Sequence, residues 1–216
     1  TPAASLVTKE KSGNYEVGTD LPKYMMMVAN KTVSSNSSSV NLDFRPLTTA
    51  IQFNLQNGTG ADLPIYAIML RSKSTDMPLS GPFNLEIDKM DTDGYEICRY
   101  ADSSVDTENC RVYMKLNGVT LAQDKMISFT FFLHPSASVS DLTLGLYLDE
   151  DLTWCRYTTI QHPDGTGVTF NKHKKTIVNG LCIPQGIQWT MMLDGQLRSW
   201  TTNTSELLDF EDLATE

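Results

Sequence analysis

Apolar and polar residues alternate along most of this chain, and the alternation has a period of two. Val40, Leu42 and Phe44 alternate with Asn41, Asp43 and Arg45, and after Pro46 the pattern resumes in the opposite phase. There Ile51, Phe53 and Leu55 are apolar while Gln52, Asn54 and Gln56 are polar. A period of two marks a strand with one buried face. A phase slip beside a proline marks an interrupted ladder. Unbroken, residues 40–56 would span roughly 55 Å at about 3.3 Å each, too long for one strand of a small domain. The pattern therefore predicts a strand that turns a corner at Arg45-Pro46 and changes sheets.

Further runs follow the same rule. Phe83, Leu85 and Ile87 share one face; so do Cys110, Val112, Met114 and Leu116. Ile127, Phe129, Phe131 and Leu133 form a third row, and Leu142, Leu144, Leu146 and Leu148 a fourth. Residues 24–28, with three consecutive methionines, and residues 63–71 read as strands apolar on both faces, hence covered. Gly81-Pro82, Asn117-Gly118, His134-Pro135, Pro163-Asp164-Gly165 and Asn179-Gly180 read as the turns between runs, and Asn57-Gly58 as another. Short strands at this spacing predict an all-β fold, an antiparallel β-sandwich of Greek-key, transthyretin-like type with little helix. The best helical candidate, with Leu207, Phe210 and Leu213 three apart, lies in an acidic tail. The expected layout is an N-terminal arm or edge segment over residues 1–20, a sandwich over 21–200, and an acidic tail over 201–216 that could also begin a missing segment.

Size and charge narrow the function. The chain has 216 residues and a net charge of −9, enough for a core without metals and unfavourable for nucleic acid or anionic membranes. No apolar run reaches the roughly 18 residues of a membrane helix. Thr1 does not open a signal peptide, so the expectation is that any export signal was removed or lies outside this sequence.

Four cysteines, Cys98, Cys110, Cys155 and Cys182, contain no C-x-x-C pair, which disfavours a zinc ribbon or a thioredoxin-like site. Cys98 and Cys110 flank a polar loop between two strand-like runs. A bridge there would contribute about 3 kcal/mol by loop closure, and Cys155 would then pair with Cys182. The alternative is four thiols acting as small hydrophobes.

No constellation points to an enzyme, a metal or a cofactor, and none is expected. Two of the three histidines, His134 and His162, precede proline in turns, and His173 reads as part of a solvated basic turn with Lys172, Lys174 and Lys175. Asp88, Asp91, Asp93 and Glu96 resemble a fragment of a calcium loop, but a full loop needs more acids, and a polar hairpin turn is the preferred reading. Trp154, Trp189 and Trp200 would serve a sandwich core or, as an alternative function, a glycan-binding platform of a surface lipoprotein. Asn30, Asn36, Asn57 and Asn203 match the N-glycosylation pattern.

Leu21-Pro22-Lys23-Tyr24-Met25, Lys31-Thr32-Val33, the Ser/Asn linker and Val40-Asn41-Leu42-Asp43-Phe44-Arg45-Pro46 with Ile51-Gln52-Phe53 together resemble the fimbrillin family of Bacteroidetes. The resemblance covers residues 21–55 and is diffuse beyond them. It implies a β-sandwich subunit of a surface fimbria, exported as a lipoprotein to the outer membrane, partnered by other subunits and by host or bacterial surface ligands. Any membrane contact would run through a lipid anchor outside this chain. Assembly would proceed by strand addition, a donated strand filling an apolar groove and an unpaired edge. Residues 6–17 and 197–210 are the expected donors. Family members usually carry two sandwiches in tandem; this chain fits one.

Overall fold

A computed structural model describes residues 8–19, 25–34, 36, 39–72, 78–92, 94, 96–101, 107–134, 140–160, 168–183, 187–193 and 196–202; for 107, 108, 117, 154 and everything from 187 on, only the backbone is described. The chain is an all-β, sandwich-type fold. One sheet has five strands, in the order β1 (Thr8–Lys11), β2 (Asn14–Val17), β10 (Met126–Leu133), β5 (Thr49–Asn57) and β13 (Lys175–Ile183). The other has six, in the order β15 (Gln196–Thr202), β14 (Ile187–Leu193), β12 (Trp154–Thr159), β11 (Leu142–Tyr147), β6 (Leu63–Ser72) and β9 (Arg111–Leu121). A 3-10 turn at Thr107–Cys110 is the helical element among the described residues.

The alternating rows form the core between the sheets. Ile51, Phe53 and Leu55 of β5 and Ile127, Phe129, Phe131 and Leu133 of β10 are all buried, and they meet Ile65, Leu70, Leu121 and Leu144 from the second sheet in one cluster. Phe53 lies directly opposite Phe129 in the antiparallel register, with ring centroids 5.4 Å apart. All six residues of β11 are buried. Its outer side is covered by a smaller cluster of Ala67, Met69, Tyr147 and Cys155.

Most pairings are antiparallel, but two in the first sheet are parallel: β2 with β10, and β13 with β5. Parallel neighbours require long crossovers, and β12, which lies in the other sheet, precedes β13 and supplies one. The hairpin β1–β2 falls within the segment expected to be an arm or edge, and it forms one edge of the sheet. Its turn residues Ser12 and Gly13 have φ of 54° and 79°, the left-handed pair that suits a two-residue hairpin turn.

Several sequence expectations fail here, each for a physical reason. Residues 40–44 carry no ladder; only Arg45–Pro46 (β4) pairs, with Met27–Val28 (β3). Val40, Leu42 and Phe44 are 42, 49 and 59 % exposed. Alternation permits a strand but needs a free neighbour, and β5 is flanked by β10 and β13 on its two sides. The methionine run is likewise uncovered, with Met26 and Met27 exposed. β7 (Phe83–Met90) and β8 (Glu96–Tyr100) form a separate two-stranded ribbon, so Ile87 faces solvent, not the shared core. Asn117-Gly118 and Asn179-Gly180 are not turns. β9 and β13 run through them as bulges, with Gly118 and Gly180 at φ of 64° and 78°.

The expected disulfides are absent: none of the four cysteines is bridged to another. Cys98 lies in the β7–β8 ribbon and Cys110 at the end of the 3-10 turn. Cys155 lies in the middle of one sheet and Cys182 on the edge strand of the other. The loop that was to pin the first pair joins two different layers.

Candidate functional site

The outward positions of β5 and β10 carry a cleft of about 350 Å³. Strand alternation sends Ile51 and Phe53 inward, which leaves Ala50 and Gln52 on the outer face; on β10 the same rule places Ser128, Thr130 and Phe132 there. The end of β2 (Glu16, Val17, Gly18), Met25 and Pro46 close one side, and His173, Lys174 and Lys175 the other.

The edge of β10 opens into this cleft. Asn14 anchors the start of β2 by accepting a hydrogen bond from the Met126 amide at 2.8 Å. Tyr15 and Glu16 then pair with Ile127 and Ser128. After Val17 the chain leaves at Gly18, whose φ of 71° takes it out of the strand region. Among the described residues, β10 beyond Ser128 has a ladder partner on the β5 side alone. Its next backbone anchor on the open side is at the far end, where the His134 amide donates to Leu79 O at 2.9 Å.

Two side chains set the polarity of the wall. Thr48 is 5 % exposed and its hydroxyl has no hydrogen-bond partner. Buried hydroxyls are seldom left so, and the residue that carries this one is part of the cleft wall. His173 is buried, not solvated as its basic neighbours suggested. It adopts φ 59°, and its Nδ1 lies 2.7 Å from Leu47 O. That contact places the proton on Nδ1 in the neutral ring. Burial lowers the His173 pKa below the ordinary imidazole value, against the opposing effect of the Leu47 carbonyl. Lys174 and Lys175 are exposed at the rim, and the Lys174 carbonyl accepts from the Ala50 amide at 2.9 Å.

Other singled-out residues lie elsewhere. His134 is buried against Phe83 and Tyr100, and burial lowers its pKa; His162 lies outside the described residues. Asp91 pairs with Lys172 at 2.5 Å, and Glu96, fully buried, pairs with Arg45 at 2.6 Å. Arg45 also donates to the Gly94 carbonyl. The acidic loop thus holds β8 to β4 and to the turn before β13; Asp93 lies outside the described residues. Asn57 is fully buried with its amide in use, so it is no glycan acceptor. The side chains of Trp154, Trp189 and Trp200 lie outside the described atoms. Cys98, Cys110, Cys155 and Cys182 do not line the cleft; burial pushes the Cys155 thiol up to about 12.

Sequence reasoning missed the cleft because none of its lining residues carries a motif. The one available signal was Gly18, placed just after an apolar residue that ends a strand. Compared with models of known protein families and with curated proteins, the chain matches none.

Proposed function

We propose that this chain is a structural or adhesive subunit of a bacterial surface fimbria, a pilus-like fibre, exported to the outer membrane and assembled by strand addition between subunits. One observation carries the reading: among the described residues, the edge of β10 past Ser128 has a ladder partner on the β5 side alone, and it opens onto a largely apolar cleft of about 350 Å³. An open edge offers backbone donors and acceptors to an incoming strand, and the cleft beside it offers room for alternate side chains. The resemblance of residues 21–55 to fimbrillins agrees with this use. Other fimbrial subunits are the partners that strand addition requires; a lipid anchor and surface ligands belong to the same proposal.

The test is self-association of the purified chain, before and after limited proteolysis of its N-terminal residues. Strand addition predicts oligomers that grow with concentration. A chain that stays monomeric at high concentration in both forms rules the proposal out.

A further inference from the structure

Strand addition requires a donor, and this inference rests on the proposal above. The described parts of the segments first expected to donate are already engaged. Residues 8–17 form the β1–β2 hairpin, and β15, which holds residues 197–202, pairs along its length with β14. One alternating run has no ladder among the described residues: Val40-Asn41-Leu42-Asp43-Phe44. Its three apolar side chains stand in solvent, Phe44 most of all at 59 %. In a strand, Val40, Leu42 and Phe44 share one face while Asn41 and Asp43 share the other.

We infer that residues 40–44 of one copy add to the open edge of β10 in a second copy. The two surfaces match in three respects. The run offers apolar side chains in alternation, and the cleft offers Val17, Met25, Pro46 and Phe132. The run carries Asp43, and the cleft carries Lys174 and Lys175 against a single carboxylate, Glu16, in a chain of net charge −9. Thr48, whose buried hydroxyl has no partner in the single chain, is among the residues that line the cleft the incoming strand would enter. The occupant is a second copy because Arg45 and Pro46 are fixed in the donor's own chain. β3 pairs with both, and Glu96 holds Arg45, while residues 40–44 of that chain stay in solvent.

The test uses the full chain. The double variant Leu42→Asp/Phe44→Asp alters only exposed side chains, so its melting temperature should equal the parent's. Its self-association, read by sedimentation velocity, should weaken at least about tenfold, because two large apolar side chains no longer become buried. In a second arm, a Leu42→Cys preparation is mixed with a Thr130→Cys preparation, both on a Cys182→Ser background. Mild oxidation should give a 42–130 bridge between chains, mapped by peptide mass. If the parent assembles and the double variant assembles equally well, or no 42–130 bridge forms, this donor is wrong and strand addition stands with another. If the parent does not assemble at all, the proposed function falls, and this inference with it.

Discussion

Asn57 gives the sharpest quantitative test of how the sandwich is closed. It ends β5, is fully buried, and joins three segments through one side chain. Its amide donates to Ala61 O and to Leu121 O, each at 2.8 Å, and its Oδ1 accepts from the Thr59 amide at 3.1 Å and the Thr59 hydroxyl at 2.7 Å. Its main chain bonds to Lys125 and Asp124, and the next amide, of Gly58, donates to Ile183 O. Asn57→Ala removes four side-chain bonds. The Thr59 groups and Ala61 O sit near solvent and recover part of their loss from water. The bond to Leu121 is wholly buried, so that carbonyl is orphaned, at about 1–3 kcal/mol. With about 0.5–1 kcal/mol for each of the three partly recovered bonds, the total is about 4 kcal/mol. In a chain of this size that lowers the melting temperature by about 8–16 °C. Asn54→Ala is the control. Asn54 bonds Asn179 and Ser128 at the surface and in part-buried positions, where loss should cost under about 1 kcal/mol. Calorimetry of both variants decides: equal shifts for Asn57→Ala and Asn54→Ala would refute the reasoning that burial of the Leu121 bond dominates.

Other expectations separate steric from backbone causes and locate the titrating groups. A Cβ on Gly58 would lie 2.4 Å from Cys182 Sγ and 2.9 Å from Ile183 O, and one on Gly145 would lie 2.8 Å from Cys155 Sγ. Alanine at either should cost about 1–3 kcal/mol, more at Gly58, where backbone must move. Gly118→Ala meets nothing and should cost about 1 kcal/mol from its φ of 64° alone; urea midpoints rank the three. Burial lowers the pKa of His134 and His173, so the unfolded chain takes up protons first as the pH falls below about 6.5. Stability is therefore full above that pH and declines below it, down to the folded values. His173→Gln should flatten the decline, and a slope identical to the parent's would contradict the assignment. Thiol labelling of the native chain should modify exposed Cys182 first and leave Cys110 and Cys155 untouched, with no change in mass on reduction.

Legibility followed the neighbours each strand required. The rows 127/129/131/133 and 51/53/55 could be read directly because they lie side by side on the one inner sheet face that packs into the main core. The row 40/42/44 has the same pattern and no ladder, since alternation records what a strand could bury and not whether an edge is free. Asn117-Gly118 and Asn179-Gly180 were misread for a related reason. A left-handed glycine serves a hairpin turn or a bulge equally well, and only the partner strand tells them apart. His173 sat among lysines and looked solvated; its left-handed backbone turns the ring inward to Leu47 instead. The cleft was invisible because it arises where β2 stops pairing, a property of registry between residues far apart in sequence.

Hydrogen exchange along β10 tests the central claim most directly. With the full chain compared at low concentration and in its assembled form, the account predicts slowed exchange at the amides of residues 129–132 that point away from β5. Protection at the Asn54 and Phe53 amides should stay as it was. Assembly that leaves the 129–132 amides exchanging at their monomer rates would contradict strand addition at this edge.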